Sequence, residues 1–586
     1  MPPWVLAPGS TPRHSQPGLA MAGALPIVID SDSDDSGVAV VGTLSPGTAI
    51  GPGAGIFLGA GTHPGDGTIP SAGRLPLHPS VGLAAERRVL AALAAGGLTA
   101  LPPWVQSAVA LYGQSALGHT GSLGRPGSWL QCRGSSLRTM RDCRGIDGIG
   151  EALRFLYAAG IMLEPHALKA ASERAAGPRM WCQMFHAWPE EDFVDMCSRG
   201  PTPACDLYCN GFPCQPFSTR RGDQSHTFDE ENARPCYAML EEVRSGKHKA
   251  ILLENVQGLL RKRYHGEKCI DVLIKQLRDA AAGRYFLHLH CDVSPHVFGE
   301  PVHRPRIFIR MVRADQCLVS SEEEFQTALK ASDKLLAEST RRITGGSISA
   351  VTCLERRGFL DSHKVQTTGP VWCPCCLPVV HGGPVRPCHL HKCCCSECAN
   401  KSGTACSWVT RHAEGWQRLA ARSTPSTSSG DPDLLVNAPE RSYFVEAHRR
   451  GLPASGVAST PRVRNLLELV ASELWVQGVD PFLTDAVLDI SQSYGRHALR
   501  VDGLLPTVAT TSRIYVMRLG VVLQPAALLS VMGFPVSVYQ ADMDSFDDNT
   551  LRRMVGNTMH PGAAGPMLVG LLGLLKHPDV TMSDDD

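Results

Sequence analysis

The chain has 586 residues, 43% of them hydrophobic, which is enough to bury a substantial core. Its 56 basic and 56 acidic side chains cancel, so net charge gives no support for a nucleic-acid partner, and any basic surface has to be local; Arg138–Arg144 and Arg261–Lys268 are the two short candidates. The start shows neither the basic residues nor the apolar run of a secretory signal, and no uncharged apolar stretch of about 18 residues occurs, so no membrane span is expected. The 21 cysteines should then be reduced thiols, metal ligands or catalytic groups.

Residues 1–128 are rich in Gly, Ala, Pro and Ser and too poor in apolar surface to offset chain entropy, so a disordered tail is expected, with one short helix near Leu83–Ala95. From 129 to 315 the texture changes. Lys249–Leu253 reads as a buried strand, Asp271–Ala281 as a helix and Ile307–Ile309 as another strand, an alternation that predicts an α/β unit with a mostly parallel sheet. Residues 316–510 open with a helical pattern, Glu322–Arg342, pass through a cysteine-dense stretch and a linker-like Ser423–Gly430, and lead to a return segment over 511–578 with an apolar helix at Met567–Leu575. An acidic tail, 579–586, closes the sequence.

Two stretches of the 129–315 unit carry chemistry. In Asp142–Gly150 the glycines Gly145 and Gly148 precede a predicted helix, Glu151–Ala159; glycines at a strand-to-helix turn let a ligand approach the backbone and the free N–H groups of the helix start. The strand-like Gly160–Leu163 then ends in Glu164, where an acid bonds a ribose hydroxyl in nucleoside-binding α/β folds; the plainer alternative is a surface carboxylate. Further on, the short strand Asp206–Tyr208 runs into Gly211-Phe212-Pro213-Cys214-Gln215-Pro216-Phe217-Ser218, with Pro213 constraining the backbone before the thiol of Cys214. Forty positions later the predicted strand Ala250–Leu253 ends in Glu254-Asn255-Val256, and Arg304-Pro305-Arg306 places two guanidinium groups on one side of an extended segment. A thiol, an acid and paired cations are what cytosine needs for substitution at carbon 5: a thiolate adds to carbon 6, and carbon 5 becomes an enamine carbon able to take a methyl group. The base has to leave a duplex stack to expose its faces.

These motifs in this order, with Gly556-Asn557 after them, resemble the DNA cytosine-5 methyltransferase family over roughly 141–315 and 505–575. The resemblance implies an α/β, Rossmann-like, S-adenosylmethionine-dependent methyltransferase domain with an inserted target-recognition region. It implies that Cys214 attacks the base, Glu254 engages ring N3, Arg304 and Arg306 steady the cytosine, and Gly145, Gly148, Glu164 and Asn557 face the cofactor. Several residues depart from the family pattern. Cys143 stands where it has an aromatic, Asp147 where it has a glycine, Val302 where it has a glutamine, and Ala526 and Ala527 where it has an arginine and a glutamate. The expected supporting shell is thinned around intact chemical residues.

Nine cysteines lie from Cys373 to Cys406, and Cys373, Cys376, Cys395 and Cys398 form two Cys-x-x-Cys pairs with eighteen residues between them, a structural-zinc spacing; a cysteine-rich loop without metal is the alternative. In the tail, Ile27-Val28-Ile29 followed by Asp30–Asp35 resembles a SUMO-interacting motif, a run that adds a strand to a partner's sheet edge; such a motif suits a nuclear protein. DNA is the expected substrate. RNA is the alternative, disfavoured because the tRNA-directed branch's Cys-Phe-Thr before Tyr-Gly is Ser491-Gln492-Ser493 here. A weakly active or inactive chromatin-binding relative is the third reading.

Overall fold

The computed structural model describes residues 87–93, 95–115, 125, 127–130, 135–162, 165–186, 188–218, 227–346, 348–357, 359, 407–423, 441–452 and 460–578. The SUMO-type motif at Ile27–Ile29, the cysteines Cys373, Cys376, Cys395 and Cys398, and Glu164 lie outside these residues. Among the described residues no cluster of His, Cys, Asp or Glu is placed to hold a metal ion, and no helix is long and apolar enough to cross a membrane.

Seven strands form the central sheet: β1 (Arg138–Asp142), β2 (Ala167–Ser172), β3 (Glu191–Phe193), β4 (Leu207–Asn210), β5 (Ala250–Val256), β6 (Tyr285–Val293) and β7 (Arg306–Arg313). They lie in the order β3-β2-β1-β4-β5-β7-β6, parallel except that β7 runs antiparallel between β5 and β6. This is the α/β, Rossmann-like arrangement expected from the sequence. The middle strands read as continuous apolar runs because both faces are covered; Ile251, Leu252 and Leu253 are all buried.

One layer holds α1 (Pro103–Ser115), α2 (Gly148–Ala158), α3 (Ala176–Phe185), and the other α4 (Arg234–Ser245) and α5 (Cys269–Ala281). Helix α5 shows the logic: Ile270, Leu273 and Leu277 face the sheet at helical spacing, and the helix stops at Ala282 in the left-handed region. After β7 comes the long α6 (Glu322–Thr344). Its N-cap Ser321 accepts from the Glu324 N–H, and it ends at left-handed Gly345. Short α7 (Ala350–Arg356) follows.

Helices α8 (Ser407–Ser423), α9 (Tyr443–Arg449) and α10 (Pro461–Val476) gather with a small sheet, β8 (Val487–Asp489), β9 (Leu499–Arg500), β10 (Ile514–Val516) and β11 (Val521–Val522), around a core of their own. The chain then returns through α11 (Pro525–Val531), α12 (Val536–Met543), α13 (Asp548–Asn557) and the wholly buried α14 (Pro561–Leu572) to rejoin the central core. Trp104 of α1 packs so close to Gly565 of α14 that a Cβ there would lie 2.2 Å from the indole.

The sequence patterns differ from this fold in three places. The tail 1–128, expected to be disordered apart from one short helix near Leu83–Ala95, also holds α1, whose Trp104, Val105 and Ala108 are buried in the central core. The apolar run Ile161–Leu163 was expected to be a strand. Instead, Ile161 and Met162 turn back under the end of α2, and the strand is the less hydrophobic Ala167–Ser172. The basic run Arg138–Arg144 is no basic surface: Arg141 and Arg144 are buried.

Between β7 and α6, Arg310 makes two bonds to Asp333, at 2.8 and 2.5 Å, and His290 lies 3.1 Å from the same carboxylate. Burial works against the charge of Asp333, yet Arg310 and His290 together hold its carboxyl below the usual range. The pair therefore stabilises the fold fully above the ordinary carboxylate pKa, and the contribution is lost as pH falls through the lowered value. Asp333→Asn leaves a buried guanidinium without its counter-charge and is expected to cost about 3–5 kcal/mol near pH 7. Urea unfolding of the two proteins from pH 7 down to 3 checks this: the gap should narrow as the pH falls.

Candidate active site

The carboxyl ends of β1, β4 and β5 meet at one edge of the molecule, where open α/β sheets bind their ligands. A buried polar network fixes these ends. Tyr208 donates to Asp142 (2.8 Å), Asn210 donates to Tyr208 (2.7 Å), and Arg199 donates to the other oxygen of Asp142 (2.6 Å). From β4 the chain turns at Gly211. A Cβ there would lie 2.5 Å from the Met559 methyl, 3.4 Å from the Cys143 carbonyl and 3.6 Å from Glu254 Oε2, so glycine keeps the cleft between the two motif regions open.

The loop after Gly211 carries Cys214 at the head of a short 3-10 turn, Gln215–Phe217, closed by the Phe217 N–H on the Cys214 carbonyl. Phe217 stacks edge-on against Phe212 and Phe228 beneath it. Buried Asn255 donates to the Phe212 carbonyl at 3.0 Å. The Asn of the Glu-Asn-Val motif thus ties the thiol's loop to β5, while its neighbour Glu254 faces the cleft. Arg306 approaches Glu254 diagonally across the β5–β7 pair, with Nε 3.0 Å from Oε1.

Cys214 is half-buried. Burial pushes its thiol above the ordinary cysteine value; Arg306 opposes that rise, Glu254 adds to it, and Arg304 opposes it more weakly. Cys214, Glu254 and Arg306 are thus one electrostatic unit.

Arg304 has contacts that the resemblance does not imply. Its guanidinium is buried and donates to the carbonyls of Val508 (2.6 Å), Gly556 (3.0 Å) and Thr558 (3.0 Å). It holds the return segment onto the catalytic half, whereas Arg306 stays at the cleft. The Gly556-Asn557 motif is read through the same contact: a Cβ on Gly556 would lie 2.2 Å from the Thr510 nitrogen.

At the glycine turn after β1, Gly145 adopts a left-handed φ of 55°, and a Cβ on it would lie 3.2 Å from the Asn557 carbonyl. Gly148 opens α2 so close to the Met559 carbonyl that a Cβ would lie 2.1 Å from it. Gly145, Gly148 and Asn557 are therefore brought together. The acid at the end of β2 is Glu173, a residue the sequence reading did not single out. One of its oxygens accepts from the Gly145 N–H and the other from the Ala175 N–H, each at 2.9 Å. Burial pushes its carboxyl up, against the pull of those backbone donors. The signal was available in the sequence, an acid directly after Ala167–Ser172, but the stronger apolar run at Ile161–Leu163 drew the strand assignment and with it Glu164.

The departures from the family pattern are built into the packing. Cys143 meets Met196 through sulfur at 3.5 Å. Val302 is core, pairing with Leu505 in an isolated parallel bridge. Near Ala526 and Ala527, Arg357 of α7 donates to the carbonyl and hydroxyl of Ser530 at the end of α11 (2.6 and 2.8 Å). Glu300 is buried close by, its carboxyl pushed up to about 7 by burial against the influence of Arg357.

A raised thiol pKa has a direct consequence. Alkylation of Cys214 by iodoacetamide should be slow at pH 7.5 and rise with pH beyond the ordinary thiol range. Arg306→Met should slow it and Glu254→Gln speed it at pH 8.5, each by roughly threefold to tenfold. Mass spectrometry of the peptide carrying Cys214 reads the rates; equal rates in all three proteins would contradict the coupling.

Residues 179–354 match the family model C-5 cytosine-specific DNA methylase. The chain is 33% identical over 106 residues to the type II methyltransferase M.HpaII of Haemophilus parainfluenzae, covering 18% of this chain and 27% of that protein. It is 30% identical over 125 residues to the type II methyltransferase M.BanI of Aneurinibacillus aneurinilyticus, covering 21% of this chain and 27% of that one. The match thus spans about a quarter of the length of these curated relatives. Among solved structures, the S. pombe Dnmt2 methyltransferase overlays with a TM-score of 0.35 and 12% identity, covering 75% of this chain and 98% of that one.

Proposed function

We propose that this chain, which resembles the DNA cytosine-5 methyltransferase family through its catalytic segment, transfers a methyl group to carbon 5 of cytosine in DNA through a covalent adduct at Cys214. The observation that carries this reading is the convergence of Cys214, Glu254 and Arg306 at the carboxyl ends of β4, β5 and the start of β7, with the Gly145 turn across the same cleft. S-adenosylmethionine fits that turn. Left-handed Gly145 brings bare backbone to the cleft, α2 starts three residues further on, and the Glu173 carboxylate beside Gly145 is the candidate ribose acid. When bound, it supplies an electrophilic methyl group.

The Cys214 thiolate adds to carbon 6 of the base. Glu254 hydrogen-bonds or protonates ring N3, so the electron pair that would build up on the ring moves to carbon 5. Arg306 holds Glu254 in place and steadies the anionic thiolate. After carbon 5 takes the methyl group, its proton passes to solvent water; the C–H electron pair becomes the C5–C6 double bond as the C–S bond breaks and returns the thiolate, and any proton on N3 goes back to Glu254, which restores the aromatic ring. The resting thiol is protonated, so base binding and its deprotonation have to be coupled; the Arg306 charge is the group positioned to assist.

Transfer of a tritiated methyl group to unmethylated DNA and to tRNA tests this. The expected result is incorporation into DNA, lost by at least about 10³-fold in Cys214→Ser and lowered by about 10²-fold in Glu254→Gln. Transfer to tRNA alone, or equal transfer by wild type and Cys214→Ser, would overturn the reading.

A further inference from the structure

The cofactor turn is held by a device that glycine could not supply. Asp147 sits at its centre with φ 63° and ψ 55°, a left-handed conformation that asparagine, aspartate and glycine tolerate best. Its Oδ1 accepts the Gly150 N–H at 3.0 Å and so caps α2. Its Oδ2 lies 2.8 Å from Arg141 Nη1 on β1, and both side chains are inaccessible, at 0% and 1% exposure. Around the pair stand two imidazoles, His166 Nε2 at 3.3 Å from Arg141 Nη2 and His186 Nδ1 at 3.6 Å from Asp147 Oδ2. There is no room to adjust: a Cβ on Gly150 would lie 2.1 Å from Arg141 Nη1 and 2.6 Å from Asp147 Oδ2.

We infer that the buried Arg141–Asp147 pair positions the methyl-donor turn, so that cofactor affinity depends on a carboxylate that the cofactor never touches. The inference rests on the methyltransferase reading above. The pair links the end of β1 to the start of α2, on either side of Cys143–Ile146. It therefore fixes where the backbone of Gly145 lies. On one side that backbone donates to Glu173, and on the other it packs against the Asn557 carbonyl. With both side chains buried, loss of either charge unbalances its partner in the interior, and the least costly relief is a shift of the turn itself. Such a shift acts on binding of the methyl donor. It leaves Cys214, Glu254 and Arg306, on other strands, in place.

Four proteins test this: wild type, Asp147→Asn, Asp147→Gly and the double variant Arg141→Met with Asp147→Gly. S-adenosylhomocysteine affinity is measured by calorimetry, KM and kcat by methyl transfer, and folding by thermal melting. Asn keeps both the cap acceptor and the tolerance of left-handed φ; Gly keeps the backbone freedom; neither keeps the charge. Both single variants should bind about tenfold more weakly or worse, with KM rising in step and kcat at saturating donor within about twofold of wild type. The double variant, with no charge left stranded but no pair either, should melt above Asp147→Gly and still bind about tenfold more weakly than wild type. Wild-type affinity in Asp147→Asn or in the double variant, or a fall in kcat with unchanged KM, would overturn the inference. If Asp147→Gly does not fold, Asp147→Asn decides: affinity about tenfold weaker or worse supports the inference, and affinity closer to wild type than that overturns it. A wild-type chain that binds no cofactor would instead overturn the methyltransferase reading on which the inference stands.

Discussion

Arg304 holds together two parts of the chain that lie more than two hundred positions apart in sequence. Its guanidinium gathers the carbonyls of Val508, Gly556 and Thr558 inside the protein, and each such charge-assisted bond contributes on the order of 1.5–3 kcal/mol. With α14 buried in the central core, that grip sets the return segment against the Gly145 turn. Asn557 and Met559 close on Gly145 and Gly148 and form one wall of the cleft they share with Gly211. The close backbone approaches at Gly148 and Gly556 need the grip, and the grip needs those glycines. The separate small core of α8–α10 and β8–β11 lies in the chain between β7 and α11.

Electrostatically the site has two tiers. At the cleft, Cys214, Glu254 and Arg306 are partly buried, so their charges act strongly on one another while remaining open to a substrate. Beneath it the charges are fully buried. Asp142 is held by Arg199 and Tyr208, and Asp147 by Arg141. A buried ion pair of this kind adds little net stability over apolar packing, but it is costly to break, which makes it a good way to fix one conformation of a turn. Asp147, read in the sequence as a loss from the family pattern, is in the structure part of that lower tier: it faces the protein interior and Arg141.

The proposed site was more legible in the sequence than the scaffold. Cys214, Glu254 and Arg306 sit in dense local motifs, and the proposed reaction calls for particular side chains on short loops at strand ends. The α/β class was legible too, since buried strands such as Ala250–Val256 are apolar throughout and α5 keeps a clean helical period. What stayed hidden depends on contacts between distant segments. Nothing local marks Arg304 as a bridge to Val508 and Thr558, or Arg141 and Arg144 as buried, because an isolated arginine in sequence looks like surface. The acid that follows β2 in the structure is Glu173, whereas the sequence pattern pointed to Glu164. An alanine-rich strand beside a richer apolar turn inverts the usual hydrophobic signal. Arg357, which supports α11 beside Ala526 and Ala527, comes from a helix with no motif at all.

The central claim is that Cys214 is the nucleophile toward a cytosine base. DNA containing 5-fluorodeoxycytidine, incubated with the full chain and S-adenosylmethionine, stops such a reaction after methyl transfer because fluorine cannot leave as the proton does. The account predicts an adduct stable to denaturation whose digest yields one nucleotide-bearing peptide, that of Gly211–Ser218 linked through Cys214. No adduct with DNA, or an adduct mapped to another of the 21 cysteines, would contradict it.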